Sequence, residues 1–222
     1  MGRYRLYDYP ASGNCFKVRL LLALLEIDYE RLPVDIFAGE TMTPEHAQRN
    51  PSLTTPVLEL APGEFLPESN AILLHLAEGT DLLPADPIER AQVYRWLFFE
   101  QSTLLPTVAD FRFRMLTGRL DPESAEGQHA ARLAQAVVSI VEGHLKQRSF
   151  AVAERYTVAD VALFGYVHVA HEAGVDMSGF DGIAAWLERV RAQPRHVEDL
   201  APYPESSRPG RSRTIHDIRL GT

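Results

Sequence analysis

Patterns typical of β-strands are confined to the first third of this chain, and that asymmetry restricts the possible folds more than any other sequence feature. Short alternating or apolar runs indicate strands at residues 3–8, 29–36, 57–60 and 65–66. Between and after them, apolar residues at helical spacing predict helices at residues 15–26, 43–49 and 69–77. Pro33 lies inside the second run and cannot donate a hydrogen bond, so that strand is predicted to lie at a sheet edge.

The strand patterns stop at a linker rich in proline, glycine and aspartate, residues 79–87. Only helical patterns follow, at residues 88–117, 124–146, 157–171 and 182–192, with Pro106 predicted to kink the first of them. A βαβ unit followed by a hairpin and a helix is typical of a small mixed sheet of thioredoxin-like type. We therefore predict an α/β plus all-α protein, with a thioredoxin-like domain (1–80) followed by an all-helical domain (88–222).

The composition excludes several classes of partner. The formal net charge is −8, which argues against nucleic acid or an anionic membrane as the main ligand. No apolar run is long enough to span a bilayer, and the pattern before the first strand leads us to expect no secretory signal. A single cysteine excludes an internal disulfide and a cysteine zinc site. These observations predict a cytoplasmic protein.

The turn between the first strand and the first helix is the predicted reaction centre. Ser12 and Asn14 stand at the N-terminus of an apolar helix, beside Cys15. Backbone N–H groups and the helix dipole at such a terminus favour an anion. A hydroxyl or an amide can also donate a hydrogen bond to a thiolate and so favour the charged form. Judged by spacing alone, helix capping and a buried, unreactive Cys15 are the commoner alternatives.

Two further segments carry groups that suit a peptide-like ligand. A cis Thr55–Pro56 bond, just before the third strand, would leave the N–H and C=O of Thr55 able to pair with an extended ligand. An ordinary trans bond is the alternative. Glu68 and Ser69 stand at the N-terminus of the third helix, where a carboxylate is favoured. The Ser69 hydroxyl suits a carboxylate and Glu68 an ammonium, so the pair fits an amino-acid head group, with capping by Ser69 as the alternative.

Other motifs point to folding rather than chemistry. Thr157-Val158-Ala159-Asp160 has the capping-box pattern, with aspartate in place of glutamate, and predicts a helix start. The 8 histidines are scattered without the spacing of metal ligands, so we predict no metal site.

Taken in this order and at these separations, the motifs resemble those of the cytosolic glutathione S-transferase family, in its bacterial serine/asparagine type. The resemblance covers essentially residues 1–200. It is carried by the segments Ser12-Gly13-Asn14-Cys15-Phe16-Lys17-Val18, Pro56-Val57, Glu68-Ser69-Asn70-Ala71-Ile72-Leu73 and Thr157-Val158-Ala159-Asp160.

The resemblance implies catalytic roles at the first turn. Ser12 matches the hydroxyl that holds the glutathione thiolate in serine-type members, and Asn14 matches an asparagine used for the same purpose in some bacterial members. Cys15 matches a cysteine that forms a mixed disulfide with glutathione in another bacterial class. Which of the three contacts the sulfur stays open, and Tyr9 is a further hydroxyl at the end of the first strand.

The resemblance also implies the residues that bind glutathione. Thr54, Thr55 and Pro56 match the segment whose backbone pairs with the cysteinyl unit, and Glu68 and Ser69 match the binders of the γ-glutamyl group.

Two positions depart from the family pattern. The family commonly has glutamine or lysine at Thr54 and a basic residue near Thr41, which binds the glycine carboxylate. Arg49 and His46 are the alternative cations for that carboxylate.

We therefore expect a glutathione transferase that conjugates the thiolate of glutathione, its co-substrate, to a small apolar electrophile bound by the helical domain. The resemblance also implies a homodimer and a role in detoxification. A glutathione-dependent disulfide reductase or peroxidase on the same fold is one alternative. A non-catalytic binding protein that keeps the fold is the other.

Overall fold

The structure is a computed structural model that describes residues 4–210 and 214–220. The first predicted strand includes Arg3, which lies outside the described residues. The same is true of the residues of the two predicted domains at positions 1–2, 211–213 and 221–222. In the part of the chain that the structure describes, no helix is long and apolar enough to cross a membrane.

The first part of the chain forms a four-stranded mixed sheet with three α-helices. The elements are β1 (Tyr4–Asp8), α1 (Gly13–Leu24), β2 (Tyr29–Pro33), α2 (Pro44–Arg49), β3 (Val57–Ala61), β4 (Glu64–Pro67) and α3 (Ser69–Ala77). The strand order is β2-β1-β3-β4. β1 pairs with β2 in parallel, and β1–β3 and β3–β4 are antiparallel. The thioredoxin-like prediction is confirmed, including the edge position of β2 and the hairpin.

Local sequence explains where these elements begin and end. The helix α1 is apolar nearly all round, and its side chains from Cys15 to Leu22 are buried. The strand β2 ends three residues before its predicted end because Asp35 Oδ1 accepts the N–H groups of Phe37 and Ala38, at 2.9 and 3.1 Å, and turns the chain away.

The second part of the chain is helical, as predicted. Its helices are α4 (Pro87–Phe99), α5 (Asp110–Leu116), α6 (Ala125–Leu145), α7 (Val158–Val167) and α8 (Asp181–Arg191). The run predicted as one helix over residues 88–117 is divided, because a π-helical segment, Glu100–Ala109, lies between α4 and α5 and contains Pro106. Proline cannot donate the regular backbone hydrogen bond, which favours such an irregularity. A short helix, α9 (Ile215–Leu220), lies near the C-terminus.

The chain forms two compact units. One contains the described residues up to Leu76 together with those from Val197 onward, and the other runs from Ala77 to His196. The sequence-based division instead placed the last residues with the helices. They contact the first unit because Ala201 N donates to Pro10 O at 3.1 Å and Asp199 pairs with Arg19 at 2.9 Å.

Candidate active site

Ser12 is the N-cap of α1. Its backbone is extended, its Oγ accepts a hydrogen bond from Cys15 N at 3.3 Å, and its carbonyl oxygen accepts one from Phe16 N at 2.9 Å. Capping uses a lone pair of the hydroxyl oxygen, so the hydroxyl proton can be donated either to the Cys15 thiol or to a ligand. Capping and ligand binding are therefore compatible at this half-buried side chain.

Asn14 and Ser69 lie side by side although they are 55 positions apart. Ser69 Oγ donates to Asn14 Oδ1 at 3.3 Å, and Ser69 is buried at the start of α3. This bond occupies the amide oxygen of Asn14 and leaves its nitrogen as the end that can donate to a ligand. The two predicted sites at the starts of α1 and α3 thus form one continuous polar surface.

The Thr55–Pro56 peptide bond is cis, as the site prediction required. Neither the N–H nor the C=O of Thr55 makes a backbone hydrogen bond to any other described residue. Thr55 is half-buried and lies two residues before the start of β3 at Val57. Its backbone therefore presents one donor and one acceptor in the manner of an unpaired strand edge.

Thr54 is held by hydrogen bonds from His46, on α2, and from Asn50, which follows α2. Its carbonyl oxygen accepts from His46 Nε2 at 3.1 Å and from Asn50 Nδ2 at 2.9 Å, and its Oγ1 accepts from Asn50 Nδ2 at 3.0 Å. His46 is buried, so it is not the accessible cation that the sequence offered as a carboxylate binder. Sequence analysis did not identify Asn50, because no local signal marks its contact with the loop that carries Thr55.

Arg49, the other cation considered for the glycine carboxylate, packs over an aromatic ring. Its guanidinium carbon lies 4.3 Å from the centre of the Tyr7 ring, and its side chain forms an ion pair with Glu45. Both interactions engage the guanidinium within this unit.

Glu68 immediately precedes α3 and has a positive φ of 71°. Its carbonyl oxygen accepts a hydrogen bond from Ile72 N at 3.0 Å, so it forms the N-terminal boundary of the helix. A positive φ is uncommon for a residue other than glycine and is found preferentially at functional sites. Here it leaves the Glu68 carboxylate exposed next to Ser69.

Cys15 is fully buried behind this surface. Burial raises the pKa of its thiol to about 12 and outweighs the opposing hydrogen bonds from Thr55, Tyr9 and Ser12. Tyr9 N donates to Cys15 Sγ at 3.3 Å. The thiolate is the nucleophilic form, so a thiol with so high a pKa is chemically inert near neutral pH.

Tyr7, on β1, and Tyr9, in the turn after it, are both buried. Tyr7 Oη donates to Glu59 Oε2 at 3.0 Å. Tyr9, considered above as a further hydroxyl, has a buried Oη, and its ring packs edge-on against Phe37 with centres 5.7 Å apart. Burial raises the pKa of Tyr9 above its usual value. Ser12 is therefore the accessible hydroxyl of this turn.

Acidic, histidine and cysteine side chains do not cluster in a way that would hold a metal ion anywhere in residues 4–210 and 214–220.

Comparison with known proteins identifies the family. A model described as "Glutathione S-transferase, N-terminal domain" matches residues 2–78, and one described as "Glutathione S-transferase, C-terminal domain" matches residues 99–194. The chain is 34% identical to a maleylacetoacetate isomerase of Rhizobium meliloti (strain 1021) over 78% of its length and 84% of the relative. It is 28% identical to the disulfide-bond oxidoreductase YfcG of Escherichia coli (strain K12) over 85% of its length and 90% of the relative.

A solved glutathione S-transferase from Pseudomonas fluorescens superposes with a TM-score of 0.86 and 42% identity, covering 90% of this chain and all of the other. The chain belongs to the glutathione S-transferase family.

Proposed function

We propose that this protein is a glutathione transferase, in which Ser12 and Asn14 stabilise the thiolate of bound glutathione for attack on a small apolar electrophile. The observation that carries the proposal is the hydrogen bond between Asn14 Oδ1 and Ser69 Oγ. It connects Asn14, at the proposed thiolate site, with Ser69, at the proposed site for the γ-glutamyl group. Membership of the family supports glutathione as the co-substrate.

The available groups match the chemical parts of glutathione. The backbone N–H and C=O of Thr55 pair with the cysteinyl unit, in the manner of an added strand. Ser69 and the start of α3 bind the γ-glutamyl carboxylate, and Glu68 binds its ammonium. The role of Thr54 in this scheme is to position Thr55, since its own carbonyl and hydroxyl oxygens accept hydrogen bonds from Asn50, which follows α2.

The proposed chemistry is a nucleophilic displacement. The thiol of glutathione loses its proton to solvent, and hydrogen bonds from Ser12 and Asn14 at the start of α1 favour the resulting thiolate. The thiolate sulfur forms a bond to an electrophilic carbon as the leaving group departs with its electron pair. Most of the rate gain comes from the lowered thiol pKa and from holding the two reactants together.

Substitutions at Ser12 test the proposal. Ser12→Gly keeps helix capping within a few tenths of a kcal/mol but removes the hydroxyl, and Ser12→Thr keeps both functions. With a chlorinated nitroarene as electrophile, Ser12→Gly should lower kcat/KM about 100-fold, as the loss of one preorganised donor does elsewhere. Glutathione binding measured by calorimetry should persist, and Ser12→Thr should retain most activity. Unchanged turnover in Ser12→Gly would remove Ser12 from the mechanism, and a parallel Asn14→Ala variant shows whether the task is shared.

A glutathione-dependent disulfide reductase is the second candidate, favoured by the similarity to the E. coli disulfide-bond oxidoreductase. In that reaction, too, the thiol of glutathione would be the nucleophile, because Cys15 is buried with a pKa of about 12. Turnover of a small disulfide that exceeds conjugation would select this candidate. The similarity to an isomerase makes maleylacetoacetate a third substrate to include in the comparison.

We further propose that the protein is cytoplasmic, detoxifies its electrophile and acts as a C2 homodimer. Light scattering on the purified chain tests the dimer, and a monomer would contradict it. Absence of glutathione binding at millimolar concentration would instead indicate a non-catalytic protein that keeps the fold.

A further inference from the structure

The C-terminal segment, residues 197–210, carries an aspartate that completes a ring of four charges beneath the first turn. Asp199 accepts from Arg19 Nε with both carboxylate oxygens, each at 2.9 Å. Arg19 Nη1 also donates to Asp8 Oδ1 at 2.6 Å, and Arg31 Nε donates to Asp8 Oδ2 at 2.5 Å. Arg31 Nη1 lies 3.5 Å from Asp199 Oδ2 and closes the ring.

Two of these charges are deeply buried, which makes the ring sensitive to the loss of any member. The side chains of Arg19 and Asp8 are 1% and 0% exposed, whereas that of Asp199 is 42% exposed. Burial lowers the pKa of Arg19, but the carboxylates of Asp8 and Asp199 outweigh it, so the guanidinium stays charged. Removing one partner of a buried ion pair leaves an uncompensated charge.

The same segment holds the backbone that leads to Ser12. Pro10 O accepts from Arg19 Nη2 at 3.2 Å and from Ala201 N at 3.1 Å. Ser12 N in turn donates to Tyr9 O at 3.1 Å. The turn from Tyr9 to Ser12 is thus held by α1 on one side and by the C-terminal segment on the other.

We infer that Asp199 is a positioning residue for the thiolate site, acting through Arg19 and the Pro10 carbonyl on the position of Ser12. The inference rests on the proposed function. Asp199 touches neither the ligand surface nor Ser12, so its effect must pass through the turn. Displacement of a catalytic group by about 1 Å can cost about 100-fold in rate, so the placement of this turn matters for chemistry and not only for folding.

Three variants test the inference. Asp199→Asn removes the charge at nearly constant size, and Asp199→Glu restores it. Ala201→Pro removes the N–H that donates to Pro10 and leaves all four charges in place. Glu188→Gln is the matched control, because it removes a carboxylate from a surface ion pair with Arg191 on α8. Each variant is compared with the wild type for its thermal midpoint, for glutathione affinity by calorimetry, and for conjugation at a temperature at which it is folded.

A positioning role predicts a specific pattern. Asp199→Asn should lower kcat/KM by at least about 10-fold, with glutathione affinity changed less than about threefold. The pH profile of kcat/KM should move to higher pH, because a displaced Ser12 hydroxyl favours the thiolate less. The ultraviolet absorbance of bound thiolate should fall accordingly. Asp199→Glu should recover part of the lost kcat/KM and part of the shift in the pH profile. Ala201→Pro should also move the pH profile to higher pH, and Glu188→Gln should match the wild type.

A wild-type pH profile in both Asp199→Asn and Ala201→Pro would overturn the inference, whatever their melting temperatures. If Asp199→Asn does not fold, Ala201→Pro alone decides, since it buries no unpaired charge. A wild type that binds no glutathione would overturn the proposed function, and the inference with it. An active wild type with unaffected variants overturns the inference alone.

Discussion

Asp160, in the first turn of α7, is the side chain whose removal we expect to destabilise the helical unit severely. It is fully buried, and it completes the capping box with Thr157 that the sequence predicts. Its Oδ2 accepts from Thr157 N at 2.9 Å and from Thr157 Oγ1 at 3.2 Å. Its Oδ1 accepts from Ala151 N at 2.8 Å and from Trp186 Nε1 at 2.9 Å, which ties the loop before α7 and the helix α8 to one carboxylate.

The size of the effect follows from the donors left behind. Asp160→Ala removes the acceptor of four buried donors, namely two backbone N–H groups, the Thr157 hydroxyl and one indole N–H. Each buried donor that loses its acceptor costs about 1–3 kcal/mol. We therefore expect Asp160→Ala to lower the free energy of unfolding by about 4 kcal/mol or more, a large part of the ~5–15 kcal/mol that holds a typical domain folded.

Urea unfolding followed by tryptophan fluorescence is the assay, since both tryptophans, Trp96 and Trp186, belong to the helical unit. Asp86→Ala is the matched control. Asp86 is an exposed N-cap of α4 that accepts two backbone N–H groups, at 2.9 and 3.0 Å, so its loss should cost only about 1 kcal/mol. If Asp160→Ala lost no more stability than Asp86→Ala, the argument from buried donors would be refuted.

The same side chain makes a prediction about pH. Burial is the main cause that raises the pKa of Asp160 from 3.8 to about 6. The Asp160 carboxyl group therefore keeps its proton to a higher pH in the folded state than in the unfolded chain. Its contribution to the free energy of unfolding is complete below pH 3.8 and is lost as the pH rises through about 6. That rise corresponds to about 3 kcal/mol. Asp160→Asn cannot titrate, so the wild type should lose about 2 kcal/mol of stability relative to this variant between pH 4 and pH 6, most of the full difference. A constant difference would contradict the prediction.

Two further substitutions test the first unit. Cys15 should resist alkylation at pH 8 in the native protein and react after unfolding in urea. Labelling of the native protein at the rate of the unfolded protein would contradict the burial of Cys15 and its pKa of about 12. The Cys15→Ala variant should keep full conjugation and full disulfide reduction. Asn50→Ala should raise KM for glutathione about 10-fold with a smaller change in kcat, because it removes two of the three hydrogen bonds that hold Thr54 and so loosens the backbone of Thr55. Glu45→Ala is its control on α2, and an equal effect in both variants would count against this reading.

Much of the fold could be predicted because its determinants are local. Alternation located the strands, helical spacing located the helices, and Ser12, Thr43 and Ser124 each cap the helix that follows, through the side-chain oxygen. The observed boundaries differ from the predicted ones where a particular residue changes the local hydrogen bonding. Asp35 ends β2 early by accepting two backbone N–H groups, and a π-helical segment around Pro106 divides a run that looked continuous.

The candidate site could be predicted only as separate pieces. The sequence placed Ser12, Asn14, Thr55, Glu68 and Ser69 at helix starts and before a strand, and the resemblance supplied a common ligand. The sequence could not show that Ser69 donates to Asn14, since that contact depends on the path of the chain between the two residues. It also offered His46 as a carboxylate binder, which its burial against the Thr54 carbonyl excludes.

By itself, then, the sequence determined the order of strands and helices, the caps and the family, because periodicity and capping act over a few residues and motifs are read directly from the chain. Only the tertiary structure decided which polar groups meet and which are removed from water. It buried Cys15 and so raised its pKa, it joined Asn14 to Ser69, and it brought Asp199 to Arg19, 180 positions away. Burial and long-range hydrogen bonds arise from packing, so they have no signature in any local stretch of sequence.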